Sequence, residues 1–271
     1  MVKNFSKRFL VEPGAKVKLA RWDPEDTAGW RDKAAAEKAL ADNTARLAEL
    51  QYRLYAEDKR ALLVVLQAMD AAGKDGTVRH VFGGVNPQGC RVTSFKAPTP
   101  AELAHDFLWR IHKAVPGRGE IGVFNRSHYE DVLIVRVKKL VPKPVWQNRY
   151  EQINAFERAL AHSGVTILKF FLHISADEQR ERLEARLRDP RKNWKFNPAD
   201  LDARKLWPEY MKAYEEALSR CSTAWAPWFV IPANKKWFCH VAVSQIIVET
   251  LESFDMHWPK PSFNPRKIRI S

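Results

Sequence analysis

The sequence of 271 residues carries 45 Lys and Arg against 32 Asp and Glu, which gives a formal net charge of +13. This length suits one large α/β domain or two small ones, and 45% apolar residues exclude a largely disordered chain. The longest apolar run, residues 61–66, is too short for a membrane span, residues 1–8 do not resemble a secretory signal, and three scattered cysteines form no disulfide framework. We therefore predict a reduced, cytoplasmic protein without membrane association.

Strand-like and helix-like segments alternate along the chain. Strands are predicted, in chain order, at residues 61–66, 91–95, 121–124, 166–174 and 228–231. Helices are predicted at residues 30–57, 77–82, 99–115, 144–163, 175–187, 200–220 and 237–254. The alternation implies right-handed crossovers and a parallel sheet with helices on both faces. The prediction is a three-layer α/β domain at residues 59–258, an N-terminal extension with an amphipathic helix at 1–58, and a polar tail at 259–271.

A glycine-containing loop lies directly between the first buried strand and the helix that follows it. This phosphate loop, residues 68–77, can bind phosphate oxygens through backbone N–H groups and the helix N-terminus, while Lys74 adds a mobile charge. The predicted phosphate-binding residues beside Lys74 are Ala72, Gly73, Asp75, Gly76 and Thr77. A strict P-loop has Ser or Thr where Asp75 stands, so Asp70 would replace that metal ligand. The alternative is a tight turn that only allows close helix–strand packing.

A second polar cluster, the 124–131 turn, follows the third predicted strand. Ligands of open α/β sheets bind beyond the carboxyl ends of the strands, so this turn is expected to face Lys74. The guanidinium of Arg126 suits a phosphate, and Glu130 and Asp131 suit a metal ion. For His128, capping or packing is favoured over catalysis.

Nine basic residues lie in the segment 180–205, which we call the lid. A capped helix followed by a proline-bounded loop predicts a mobile element that closes over phosphates. The residues predicted to hold them are Arg182, Arg186, Arg191, Lys192 and Lys195. Because five acidic residues are interleaved, an ordinary solvated helix with ion pairs is the alternative.

These three motifs, in this order, resemble the family-2 polyphosphate kinases over residues 18–261. Asp70, Gly73 and Lys74 match the family's Asp-x-x-Gly-Lys loop, and Arg126 with Ser127 matches its Arg-Ser turn. The resemblance implies a P-loop kinase fold like that of thymidylate kinase, with a five-stranded parallel sheet and a helical lid. It also implies Mg²⁺-dependent, reversible transfer of the terminal phosphoryl group of inorganic polyphosphate to a nucleotide. Asn125, where many members have Asp, is similar to the subgroup that accepts AMP as well as ADP.

The residue roles that we assign follow from this resemblance. Lys74 and Arg126 would contact the transferred phosphoryl group, and Asp70 with Glu130 would bind Mg²⁺. Asn125, Arg126 and Glu130 would face the acceptor, an adenine or guanine nucleotide, while the basic lid residues hold the polymer. A homo-oligomer, either dimer or tetramer, is expected, with neither nucleic acid nor membrane as partner.

Two other functions explain part of the sequence. An ATP-dependent nucleotide kinase of the thymidylate-kinase-like type would account for the phosphate loop but not for the basic excess. A basic nucleic-acid-binding module would account for the charge but not for Asp70. The net charge of +13 is best interpreted as the counter-charge of a long phosphate chain.

Overall fold

A six-stranded sheet forms the centre of the computed structural model, which describes residues 5–270. Its strands are β1 (Leu10–Val11), β2 (Ala61–Gln67), β3 (Cys90–Ser94), β4 (Ile121–Asn125), β5 (Val165–His173) and β6 (Trp228–Pro232). The spatial order is β1-β6-β5-β2-β4-β3. Strands β2 to β6 are parallel, which confirms the predicted five-stranded parallel sheet, and β1 pairs antiparallel with β6.

The sixth strand, β1, corrects the predicted strand count. It has two residues, with Leu10 opposite Phe229 and Val11 opposite Trp228. A two-residue strand has no periodicity to detect in the sequence, and it exists because β6 offers a free edge.

Helices cover the sheet. They are α1 (Lys33–Glu57), α2 (Lys74–Val81), α3 (Pro100–Leu103), α4 (Trp109–His112), α5 (Ile134–Val137), α6 (Lys143–His162), α7 (Ala176–Arg188), α8 (Ala199–Lys205), α9 (Trp207–Cys221) and α10 (Lys236–Glu252). None of the helices within residues 5–270 is long and apolar enough to cross a membrane.

Two predicted helices are each divided in the structure. The capping box of Thr99 and Glu102 is present, but the helix it opens ends after one turn, and α4 starts separately beyond Asp106. The predicted helix 200–220 is interrupted at Leu206, between α8 and α9. Pro208 lacks the N–H that would continue the helical hydrogen bonds through this point, so a new helix begins around it.

The two faces of β2 belong to two different apolar cores. Leu63 and Val65 pack in the core that includes α6 and α9, whereas Leu62 and Val64 pack in the core that includes α1 and α10. All seven residues of β2 are buried. The three-layer arrangement follows from this, because an extended strand directs alternate side chains to opposite faces.

The chain ahead of α1 lies across the sheet and the loop after β6. We call residues 5–30 the N-terminal strap. The carbonyl of Trp22 lies 3.1 Å from His173 Nε2, and the carbonyl of Pro24 accepts from the Asn234 amide at 3.1 Å. The strap therefore contacts the ends of β5 and β6 near the carboxyl edge, where the predicted site lies. A domain division at residue 58 stays a prediction.

Candidate active site

The three predicted motifs meet at the carboxyl edge of the sheet, beside the neighbouring strands β2 and β4. The chain leaves β2 for β3 on one side and leaves β4 for β5 on the other, so the connections diverge here, as at ligand sites of open α/β sheets. A cavity of about 1170 Å³ opens at this edge. Of the residues predicted from sequence, it is lined by Asp70, Gly73, Lys74, Asp75, Gly76, Asn125, Arg126, Glu130, Arg182, Arg186, Lys192 and Lys195.

The other three predicted residues do not line this cavity. Ala72 and Thr77 are buried, and Thr77 supports the loop because its backbone N–H and its hydroxyl both donate to the carbonyl of Gly73. Arg191 is exposed and lies 3.2 Å from Asp189. The side chains of these three residues therefore do not face the cavity in which phosphate is predicted to bind.

The phosphate loop has an unusual backbone. Ala71 and Gly73 have left-handed φ angles of 63° and 111°, and α2 begins immediately afterwards. Alternation of left- and right-handed residues forms a concave turn of N–H groups that binds anions. For Ala71, which carries a Cβ, this conformation costs about 1–2 kcal/mol, the type of strain found at functional sites.

The side chain of Lys74 is buried inside the phosphate loop. Only 8% of the residue is exposed, and Nζ donates to the carbonyls of Ala68 at 2.7 Å and Met69 at 3.2 Å. Burial and then the positive charge of Arg126 lower the pKa of Lys74 to about 8, although nearby carboxylates oppose the shift. An ammonium group has three protons, so one remains for a bound phosphate.

Arg126 lies between two carboxylates at the end of β4. Its guanidinium is 2.6 Å from Asp70 Oδ1 and 3.7 Å from Glu130 Oε2, and its backbone has a left-handed φ of 62°. With its amide oriented to satisfy both neighbours, Gln67 at the end of β2 donates to Glu130 Oε1 at 3.0 Å. The two strand ends therefore fix the arginine and both acids as one unit.

Asp70 and Glu130 suit a magnesium ion that binds together with the substrate phosphates. Arg126 contacts one carboxylate oxygen of Asp70, and the other has no hydrogen-bond partner among the described residues. Within residues 5–270, no group of three or more His, Cys, Asp or Glu side chains could hold a metal by itself. Mg²⁺ typically takes one or two carboxylates, several waters and the substrate phosphates, and this donor set meets that requirement.

Asn125 joins β4 to the phosphate loop. Its Nδ2 donates to Asp75 Oδ1 at 2.6 Å, in the first turn of α2. An aspartate at position 125 would place two carboxylates together, and the neutral amide avoids this repulsion.

Arg182 has a different role from the one its position in the lid predicts. It is 7% exposed and donates to Glu178 Oε1, to the carbonyls of Ala71 and Ala72, and to those of Ala233 and Asn234. These five acceptors, at 2.6 to 3.1 Å, use all five N–H bonds of the guanidinium. Arg182 therefore connects the phosphate loop to the loop after β6 and has no N–H left for a polymer.

Replacing Arg182 by Lys is expected to lower the free energy of unfolding by about 2–3 kcal/mol and to reduce kcat. Three lysine protons cannot satisfy the four backbone carbonyls and Glu178, so the phosphate loop loses support although the charge remains. Urea unfolding and steady-state kinetics test this. The matched control is Arg180→Lys on the same helix, where the arginine side chain is 58% exposed. Native stability with only a raised KM for the phosphate donor would indicate direct binding instead.

Most of the other lid cations have acidic or backbone partners of their own, whereas the ammonium of Lys195 lies over the ring of Trp194. Arg186 lies 3.5 Å from Asp200 and donates to the carbonyl of Lys195, and Lys192 lies 2.9 Å from Asp189. Burial and the charge of Asp70 raise the pKa of Asp200, which places this lid carboxylate near the phosphate loop. The interleaved acids thus form ion pairs in the lid, as the alternative interpretation expects, and several of the basic residues still line the cavity.

No sequence motif predicts the apolar part of the cavity. This wall lies on the β3 side and consists of Phe95, Ala97, Pro98, Leu103, Ile134, Val135, Leu140 and Val141. Its members come from separate loops and short helices, so no local motif contains them. A wall of this kind suits one flat face of a nucleobase.

A buried charged network supports the 124–131 turn from behind. Lys169 Nζ donates to Glu157 Oε2, Tyr129 Oη and the carbonyl of Cys221, while Tyr129 and His128 both contact Glu157 Oε1. The side chains of Lys169 and Glu157 are 0% exposed. Burial alone would raise the pKa of Glu157, but the Lys169 ammonium and the His128 hydrogen bond hold it below its ordinary value. This is the packing role expected for His128.

Comparison with known proteins gives a consistent result. The family model of polyphosphate kinase 2 matches residues 30–259. The AMP/ADP-polyphosphate phosphotransferase of Meiothermus ruber is 57% identical, covering 97% of this chain and 99% of the relative, and the ADP-polyphosphate phosphotransferase of Rhodopseudomonas palustris is 47% identical, covering 97% and 95%. The crystal structure of polyphosphate kinase 2 from Arthrobacter aurescens TC1 superimposes with a TM-score of 0.94 at 48% identity, covering 97% of this chain and 94% of that one.

Proposed function

The chain belongs to the polyphosphate kinase 2 family, and from this premise we propose that it transfers the terminal phosphoryl group of inorganic polyphosphate to AMP and ADP. The observation that carries the proposal is the shared cavity, in which Lys74 and Arg126 lie between a basic lid and an apolar wall. A phosphate chain and a nucleotide can therefore enter from opposite sides and meet at the two cations.

The reaction requires alignment and charge neutralisation more than covalent chemistry. A terminal phosphate oxygen of the nucleotide attacks the last phosphorus of the polymer, the P–O bond to the chain breaks, and a polymer one unit shorter leaves. The attacking oxygen is already ionised at neutral pH, so the protein need not supply a general base. Lys74 and Arg126 stabilise the charge on the transferred group, and for this Arg126 exchanges part of its contact with Asp70 for phosphate oxygens.

We propose Mg²⁺ as the cofactor, with Asp70 and Glu130 as its protein ligands. The unpartnered oxygen of Asp70 and the position of both acids beside Arg126 support this assignment. When bound, the ion neutralises phosphate charge. Asp70 and Glu130 would hold the ion beside the phosphates that Lys74 and Arg126 contact.

Features outside the cavity support the remaining proposals about partners and location. Strand β3 is an edge of the sheet, and Val92 on it is 46% exposed, which favours a homo-oligomer that covers this edge. The three cysteines are free thiols, as expected in the reducing cytoplasm. Adenine and guanine nucleotides are the proposed acceptors, and neither nucleic acid nor membrane is a proposed partner.

A donor test decides between this function and its alternatives. With Mg²⁺, we expect AMP and ADP to be phosphorylated when polyphosphate is the donor, as measured by chromatography of the nucleotides, and EDTA is expected to stop the reaction. Product formed from AMP only when ATP is the donor would support an ATP-dependent nucleotide kinase. Binding of DNA or RNA that falls steeply with salt, without any transfer, would support the nucleic-acid-binding module.

A further inference from the structure

Lys236 lines the same cavity but belongs to none of the sequence motifs. It is the first residue of α10, which follows β6, and the sheet order places β6 and β3 on opposite sides of β2, from which the phosphate loop continues. It makes no ion pair and no side-chain hydrogen bond with any residue in the described range 5–270. Its neighbour Lys235 differs, because that ammonium lies 3.5 Å from Glu25 of the N-terminal strap.

The charges around Lys236 are mainly positive. Partial burial and the charges of Arg182, Lys192 and Arg186 lower its pKa, and Glu178 is the acid that opposes them. Glu178 is already bound to Arg182 at 2.6 Å. Arg186 and Lys192 also have acidic partners of their own, so Lys236 is the cation of this group without a counter-charge among the described residues. A phosphate bound beside it would supply that counter-charge.

The helix that begins at Lys236 adds to this field. Helix α10 has 17 residues, and its N-cap residue, Lys235, makes no side-chain capping bond. The first N–H groups of a helix carry partial positive charge and bind phosphate oxygens when no cap occupies them. Of the residues at this helix start, Lys236 lines the cavity.

We propose that Lys236 forms a subsite for an inner phosphate group of the polyphosphate chain, beyond the group that is transferred. This inference rests on the proposed function. The chain would run from Lys74 along Gly73 toward Lys236 and Lys192, between the phosphate loop and the lid. The sequence motifs predict that only lid residues hold the polymer. This path adds a contact from α10, outside the lid.

The test compares Lys236→Ala with Lys235→Ala, which removes the same charge from the adjacent residue. Lys236→Ala is expected to raise KM for long-chain polyphosphate roughly fivefold to tenfold, with kcat and KM for AMP within about twofold of wild type. Lys235→Ala is expected to change each of these values by less than about twofold. Lys236→Arg should restore most of the affinity. Equal KM values for the two alanine variants would overturn the subsite.

Chain length gives a second measurement. The proposed subsite lies beyond the phosphates of a tripolyphosphate bound at the transfer position, so the KM for tripolyphosphate is expected to change less in Lys236→Ala than the KM for long chains. An equal change for both donors would place Lys236 at the transferred group and contradict the proposal. If the wild-type protein transfers nothing from polyphosphate, the proposed function fails, and direct binding of polyphosphate to the same variants still tests the subsite.

Discussion

Replacing Lys74 by Met is expected to lower kcat/KM with polyphosphate by about a thousandfold, while the protein stays folded. Met has a similar length and fills the buried space, so the loss reflects the missing charge. The ammonium donates only to two loop carbonyls, at 2.7 and 3.2 Å, so the substitution leaves no buried carboxylate without its partner. Coupled-assay kinetics measure the loss of kcat/KM, and circular dichroism shows whether the protein stays folded. Activity within about tenfold of wild type would remove Lys74 from the transfer step.

The pH dependence of kcat/KM gives a second test of Lys74. Burial lowers the pKa of Lys74 to about 8, so the free enzyme loses this positive charge as the pH rises through that value. We expect kcat/KM for polyphosphate to fall above about pH 8, while kcat falls less because bound phosphates raise the pKa again. Lys74→Arg stays charged in this range, so its remaining activity should lack the fall. A wild-type profile that is flat to pH 9 would contradict this assignment.

Replacing Lys169 by Met is expected to lower the free energy of unfolding by about 3–5 kcal/mol. The substitution leaves Glu157 as a buried carboxylate without its ammonium partner and removes a donor to Tyr129 and to the Cys221 carbonyl. Because His128 and Tyr129 belong to the 124–131 turn, kcat should fall as well. Urea unfolding and kinetics of the same preparation measure both effects.

Two further variants show whether the network acts as a unit. Glu157→Leu combined with Lys169→Met should recover much of the stability, since no unpaired buried charge remains. Lys38→Met on α1 is the control, because the Lys38–Asp42 pair is 79% and 66% exposed and contributes little. Equal destabilisation by Lys38→Met and Lys169→Met would rule out a special role for the buried pair.

The parts of the site that were predictable have local signals. The phosphate loop follows a fully apolar strand and precedes a helix, and the Asn125–Glu130 segment follows another strand, so chain order alone places both at one sheet edge. The parallel order of β2 to β6 follows from the same alternation. These features depend on neighbours in sequence, which is why a single sequence suffices for them.

Arg182 shows why the rest was not predictable. Helical spacing places it near Arg186, and nothing local distinguishes a cation that binds phosphate from one whose N–H groups are all used. The difference arises from the carbonyls of Ala233 and Asn234, about 50 residues further along the chain. Lys169 has a partial signal, because a lysine inside an apolar strand requires a buried partner, but the identity of Glu157 follows only from packing.

The N-terminal strap affects how the enzyme can assemble. Leu10 and Val11 are synthesised long before their partners Phe229 and Trp228, and Pro24 long before Asn234, whose backbone N–H it accepts. Asn234 is also one of the acceptors of Arg182 beneath the phosphate loop. The strap has no sheet edge to join until residue 229 has been synthesised, and contacts so distant in sequence form slowly. The phosphate loop therefore acquires its full support only after nearly the whole chain has been made, which keeps an incomplete chain from carrying a finished site.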